Sequence, residues 1–198
     1  MPSEPLIYRI LVFVLLLVFV AHRAYYTRKF PPAESETVDK LQPGPLAKVA
    51  SLIFILALAS SLVYIIFPRL IAWASLPLPA WARWLGVGLA LAGFLLLEWS
   101  HRSLGRNWSD QPRITQEQRL VQNGPYSRVR HPIYTAFLLI LGSTLFISAN
   151  WLVGGLWIVA VSLDIFPRMR YEEAAMLEKF GEEYRQYQQR TGRLLPFL

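Results

Sequence analysis

The sequence predicts an all-α integral membrane protein, a single membrane domain over residues 1–198 with five transmembrane helices and a cytoplasmic amphipathic carboxyl-terminal helix. Composition is the first reason: 54% of residues are hydrophobic, 17% are charged, and mean hydropathy is +0.34. Apolar runs near the twenty residues a helix needs to cross a bilayer are the second. The third is the uneven spread of lysine and arginine along the chain. The net charge of +7 would suit a nucleic acid in a polar protein. In a chain this apolar it is better met by loops held against anionic membrane lipid, so no nucleic-acid partner is expected. There is no cysteine, which excludes disulfides, Cys-ligated zinc, iron–sulfur clusters and thiol catalysis, and no metal site is expected.

The first span is 6–23, apolar to residue 21 except for Arg9, which lies near enough to the end to snorkel. His22, Arg23, Arg28 and Lys29 follow it. A cleaved signal peptide is the competing reading, but Glu4, a single early arginine, a poor cleavage pattern and the later spans favour a retained segment. Residues 30–45 hold four prolines, three acids and a glycine and read as a polar connection. The second span, 49–67, has no charge and extends about 29 Å at ~1.5 Å per residue, enough to cross the hydrocarbon. Pro68 and Arg69 end it.

The third span is 81–99, with Trp81 and Trp84 at one end and Trp99 at the other, as an interfacial aromatic belt places them. Its Gly86, Gly88 and Gly93 lack the spacing and the preceding strand of a dinucleotide fingerprint and read as close helix packing. Residues 100–131 form a long polar loop containing a glycine-proline turn at Gly124 and Pro125. Arg128 and Arg130 fall where lipid headgroups would be. Pro132 suits the first turn of a helix, because its missing N–H is unpaired there anyway. His131 and Tyr134 therefore flank a helix amino end, which favours an anionic group.

The fourth span, 132–149, and the fifth, 151–166, are separated by Asn150 alone and must form an antiparallel hairpin. The tail, 168–198, places Leu177, Phe180, Tyr184 and Tyr187 at three- and four-residue intervals, an amphipathic helix along the membrane face, with a kink expected at Pro167. Five lysines and arginines, Arg23 included, fall between the apolar run ending at Ala21 and span two, six between three and four and six after five, against Arg69, Arg83 and Arg9 elsewhere. Positive-inside orientation puts the amino terminus outside and the 100–131 loop and the tail in the cytoplasm. Arg168 and Glu172 are helix neighbours at four residues' spacing, and Asp164 extends that stripe. Glu98, His101 and Asp164 are polar residues of unassigned role near the spans.

The pattern NGPYSRVRHPIY at 123–134, an apolar hairpin, RMRYEEAAMLEKFGEEYRQY at 168–187 and the final LLPF resemble the isoprenylcysteine carboxyl methyltransferase family and its phospholipid-methyltransferase relatives. The match covers about the last ninety residues. The resemblance implies a methyltransferase using S-adenosyl-L-methionine without a Rossmann domain. By residue it implies that Tyr126, His131, Tyr134 and Glu172 bind the cofactor, with Gln111, Leu120 and Val121 fitting more loosely. Arg168 matches the arginine that orients an acceptor carboxylate. The chain departs from the family at Ala136, where glycine is common, and at Pro167.

The chemistry of a sulfonium donor agrees: it wants an anionic or π-rich contact at its cationic groups and a positive contact at its carboxylate. Glu172, Tyr126 and Tyr134 offer the first, His131 and the helix amino end the second. Carboxyl methylation of a lipophilic or prenylated acceptor needs chiefly positioning, by Arg168. Methylation of a lipid amine would need a general base, for which Glu173 is the candidate catalytic residue. A nicotinamide-dependent membrane reductase using NADPH is a third reading. A small transporter is disfavoured by the lack of an internal repeat.

Overall fold

The computed structural model describes residues 4–30, 45–108 and 119–197. Five long helices account for most of them: α1 (Leu6–Lys29), α2 (Pro45–Ile66), α3 (Ala80–Leu104), α4 (Pro132–Ser148) and α5 (Trp151–Arg190). Short 3₁₀ turns at Pro68–Ala74, Gly105–Asn107 and Gly124–Ser127 complete the set. Among the described residues, extended pairing is confined to two isolated bridges, Ser75 with Asn150 and Val129 with Gly192.

Four helices, α1, α2, α3 and α5, are long and apolar enough to cross a membrane. The chain is thus a multi-pass integral membrane protein. Helix α4 is apolar but has 17 residues, about 25 Å at ~1.5 Å per residue. Outward-facing residues such as Leu17, Ile55 and Leu95 are exposed, the surface that hydrocarbon would cover. Helix ends depart from the expected boundaries: α1 continues past 23 to Lys29, and α3 past 99 to Leu104.

Polar contacts between helix ends show that the helices alternate in direction. At one end, Arg9 near the start of α1 donates to the Ile65 carbonyl at the end of α2 at 2.7 Å, so it caps a neighbouring helix rather than snorkelling. Arg83, at the start of α3, is buried. It donates to the Ile147 carbonyl near the end of α4 at 2.7 Å, to Tyr64 at 3.1 Å and to Glu4, and its guanidinium lies 3.4 Å over the Tyr8 ring. The connection after α2 is tied to the α4–α5 turn by Asn150, whose side chain donates to Ile71 at 2.9 Å and caps α5 by accepting from the Leu152 and Val153 amides.

Small residues set the helix spacing. A Cβ on Gly86 would stand 2.7 Å from Phe146 Cβ and one on Gly93 2.7 Å from Ile140 Cγ1, so both lie in the α3–α4 contact. Gly88 faces open space and takes no part in it. Gly154 likewise brings α5 onto the Leu145 backbone of α4, as the expected hairpin requires.

The largest difference from the sequence reading is in α5. Its first helical run, from Trp151, continues through Pro167, and the backbone leaves helical geometry at Gly181 (φ 52°, ψ −121°), where a second run begins. At ~1.5 Å per residue the run up to Gly181 is about 45 Å, well over the hydrocarbon thickness of ~30 Å, so the charged part past Pro167 extends beyond an apolar layer spanned from Trp151.

Candidate active site

The site forms at the end of the bundle where α1 and α3 finish and α4 begins. Gly124 has φ +57°, and a Cβ there would strike Ser103, so the turn needs glycine both for its backbone and for its approach to α3. The turn buries Tyr126, and Tyr187 of α5 donates to the Tyr126 carbonyl at 2.7 Å. His131 is the residue preceding α4, with Pro132 in its first turn as expected.

The chain's last residues are pinned beside this loop. The Arg130 amide donates to the Gly192 carbonyl at 2.8 Å, the His131 amide to Arg193 at 3.0 Å and the Gly192 amide to Arg128 at 3.0 Å. Thr135 adds a bond to the Leu194 carbonyl at 2.6 Å. The tail therefore returns onto the start of α4.

Glu173 is the centre of that closure. Its Oε1 accepts from Arg130 Nε at 3.0 Å, His131 Nε2 at 3.2 Å and Arg193 Nε at 3.1 Å, and its Oε2 from Arg193 Nη2 at 2.5 Å. Arg130 also donates to the Gln188 carbonyl at 3.0 Å and to that of Thr191. Arg130 is thus an interior tie, while Arg128 is exposed; the sequence reading had placed both at headgroups. Burial by itself would raise the Glu173 pKa, but the hydrogen bonds from His131, Arg193 and Arg130 outweigh it and hold the carboxyl well below its ordinary range.

Glu172, one residue earlier, faces the other way. Its Oε1 accepts from Tyr134 at 2.5 Å, and its Oε2 lies 3.5 Å from His131 Nδ1. The His131 ring stacks on Tyr134 with centroids 5.5 Å apart. Both His131 nitrogens therefore face carboxylates. Burial opposes the imidazolium, yet the bonds to Glu172 and Glu173 prevail and raise its pKa. Tyr126 is pushed well above the usual phenol value, first by burial and then by the charges of Tyr187 and Glu172.

These side chains border a cavity of about 220 Å³. Of the expected residues, Leu120, Val121, Tyr126, His131, Tyr134 and Glu172 line it together, and Arg168 does so from α5. Glu173 is absent from its wall. Gln111 lies outside the described residues. Arg168 Nε donates to Asp164 Oδ1 at 3.0 Å, so the Asp164 stripe exists as a pair with Arg168. The sequence reading missed Arg193 and the inward side of Tyr184 and Tyr187, which are buried rather than lying on a membrane-facing stripe. The glycine at 192 is the local signal for this turn, and in the structure a Cβ there would strike the Leu195 carbonyl.

The walls carry charge of both signs. A carboxylate and phenols stand at one part, and Arg119, Arg130 and Arg168 bring positive charge. Fold and site thus define a helical membrane protein with a charged, aromatic-walled cavity at one end of its bundle. Residues 85–178 match the model of the isoprenylcysteine carboxyl methyltransferase (ICMT) family, a stretch that takes in most of α3, the loop, α4 and the first part of α5.

Similar proteins include protein-S-isoprenylcysteine O-methyltransferase B of Arabidopsis thaliana, 28% identical over 120 residues that cover 60% of this chain and 61% of that protein. Methanethiol S-methyltransferase 1 of Bradyrhizobium diazoefficiens is 36% identical over 72 residues, 36% of this chain and 24% of that protein. The chain thus spans less than two thirds of either relative. A structure of the eukaryotic intramembrane Ras methyltransferase ICMT has the same fold, with a TM-score of 0.65 and 22% identity, covering 96% of this chain and 68% of that one.

Proposed function

We propose that this protein is an integral membrane methyltransferase that uses S-adenosyl-L-methionine to methylate an anionic group on a lipophilic acceptor, with a prenylated cysteine carboxylate as the favoured case. The observation that carries the reading is Glu172, held by Tyr134 on the cavity wall within the stretch that matches the ICMT-family model. In this reading Glu172, Tyr126 and Tyr134 hold the cationic part of the donor. His131 serves its carboxylate. Leu120 and Val121 supply apolar wall, and the family resemblance adds Gln111.

When bound, the donor would supply an electrophilic methyl group, whose bond to sulfur breaks as the bond to the acceptor forms. An ionised carboxylate brings its own electron pair and releases no proton, so the protein needs to align it rather than deprotonate it. We assign that task to Arg168, a reading supported by its position on the cavity wall and its bond to Asp164. Glu173, committed to three cations, acts as a positioning residue that fixes His131 and the tail. The two sorts of relatives named above act, by their names, on isoprenylcysteine and on methanethiol. Carboxylates and thiols share a capacity to react as anions, which favours an anionic acceptor over a lipid amine.

For topology we propose five crossings, with α4 as the short one, the amino terminus outside and the site and tail on the cytoplasmic side, by the positive-inside bias. The functional test is transfer of a labelled methyl group from S-adenosyl-L-methionine, by the purified protein in detergent, to an S-prenylated N-acetylcysteine, a long-chain thiol or an aminophospholipid. Strongest labelling of the prenylated acid is expected, with turnover falling in Arg168→Lys while donor binding survives, because lysine keeps the charge but loses the two-pronged contact. Labelling of the aminophospholipid alone would overturn the acceptor assignment.

A further inference from the structure

Tyrosines border much of the cavity: Tyr126, Tyr134, Tyr171, Tyr184 and Tyr187. Two of their hydroxyls are spent within the protein, that of Tyr134 on Glu172 at 2.5 Å and that of Tyr187 on the Tyr126 carbonyl at 2.7 Å. Tyr184 differs. It is 3% exposed and stands on the cavity wall, yet among the described residues its hydroxyl makes no hydrogen bond. A buried phenol ordinarily has a partner for that group. Tyr184 also lies beyond the matched segment 85–178.

Neighbouring groups fix its place without using the hydroxyl. The break at Gly181 starts the second run of α5, in which Tyr184 and Tyr187 share a face at three residues' spacing, their ring centroids 5.9 Å apart. That run is tied to the loop twice, by Tyr187 on Tyr126 and by Gln122, which donates to Glu183 at 3.2 Å. Burial first, and then the charges of Glu173 and Glu172, raise the Tyr184 pKa against the opposing charge of Arg130. The phenol is therefore kept protonated within reach of both carboxylates. Arg130 is committed to Glu173 and to the Gln188 and Thr191 carbonyls.

A protonated phenol beside carboxylates offers its oxygen lone pairs to a cationic N–H. The amino-acid end of S-adenosyl-L-methionine carries an ammonium with three N–H donors, more than a single carboxylate oxygen satisfies. Its sulfonium has no N–H and gains nothing directional from a hydroxyl. We propose that Tyr184 is a further donor-binding residue, whose hydroxyl oxygen accepts a hydrogen bond from the ammonium of the methyl donor while Glu172 supplies the opposite charge. This rests on the methyl-transfer reading and deepens it: the second run of α5 becomes part of the donor site and selects the amino-acid end of the ligand.

The test uses the full chain in detergent micelles and its variants Tyr184→Phe and Tyr187→Phe. Equilibrium affinities are measured by calorimetry for S-adenosylhomocysteine and for its deamino analogue, which keeps the nucleoside, the thioether and the carboxylate. Thermal midpoints are read without ligand. Tyr184→Phe should weaken S-adenosylhomocysteine by about tenfold, as loss of a hydrogen bond to a charged group does, and leave the deamino analogue and the midpoint as in the parent. Tyr187→Phe should lower the midpoint, because its hydroxyl has a partner in the protein. Equal weakening of both ligands by Tyr184→Phe would place the hydroxyl elsewhere on the ligand and overturn the proposal. So would a midpoint lowered as in Tyr187→Phe, which would make the hydroxyl structural. If the parent and Tyr184→Phe bind S-adenosylhomocysteine equally, this proposal falls and the methyltransferase reading stands; if the parent does not bind it, both fall.

Discussion

Glu172 and Glu173 are adjacent in sequence and identical in chemistry, yet the helix turns them about 100° apart and gives them opposite surroundings. Glu173 accepts from two arginines and a histidine and has no place on the cavity wall. Glu172 has a phenol at 2.5 Å and a histidine at 3.5 Å and borders the cavity. The first is a clasp between the loop, α5 and the tail; the second borders the cavity that we propose takes the methyl donor. Paired carboxylates in a sequence thus need not share a task. His131 touches both, so it couples the clasp to the cavity.

The largest way to break the contrast is to remove the clasp. Glu173→Ala leaves Arg130 without its anion and His131 with Glu172 alone, and breaking a buried pair in this way costs about 3–5 kcal/mol. A large drop in thermal midpoint together with loss of all ligand binding is expected; a midpoint near the parent's would show that the tail is held by other means. Glu172→Gln should do the reverse. Its midpoint stays close to the parent's, while affinity for S-adenosylhomocysteine falls by about 1–3 kcal/mol, the range for a hydrogen bond to a charged group. Calorimetry on the two variants side by side checks both.

Acidity sharpens the same contrast. The His131 pKa is raised in the fold, so its contribution is complete below the unfolded value of about 6.5 and is lost as pH rises through the folded value. The Glu173 pKa is lowered, so its contribution is present above the unfolded value of about 4.3 and is lost only as pH falls through a lower folded value. Thermal midpoints should therefore decline on the alkaline side in the parent, and this decline should be absent in His131→Asn. An identical alkaline slope in both would remove His131 from the clasp. The smallest effect belongs to Arg128, exposed beside the half-buried Arg130: Arg128→Ala should change stability by no more than about 0.5 kcal/mol, whereas Arg130→Ala should resemble the loss of Glu173.

Much of the frame was readable because its signals are local. The α4–α5 hairpin follows from two apolar runs around Asn150, and Pro132 after His131 marks the start of α4. Gly86 and Gly93, seven residues apart, mark one packed face, although Gly88 showed that a glycine among them need not join it. The parts that were not readable depend on chain segments far apart. Nothing near Arg130 announces that Gly192 and Arg193 will lie beside it, some sixty residues on, or that Arg23 will meet Phe137. At Pro167, where a kink is expected, the backbone keeps helical φ/ψ, and it leaves them at Gly181: a proline forfeits one helical bond, whereas a glycine with positive φ leaves the helix altogether. In α5 the second decides, at Gly181, and Tyr184 and Tyr187 pack inward beyond it.

The central claim is that the cavity beside Glu172 receives a sulfonium methyl donor. Calorimetric titration of the purified protein with S-adenosylhomocysteine and, separately, with NADPH tests it most directly. Saturable one-to-one binding of S-adenosylhomocysteine, with no heat from NADPH, is the expected result. Binding of NADPH with none of S-adenosylhomocysteine would contradict the account and point to a reductase.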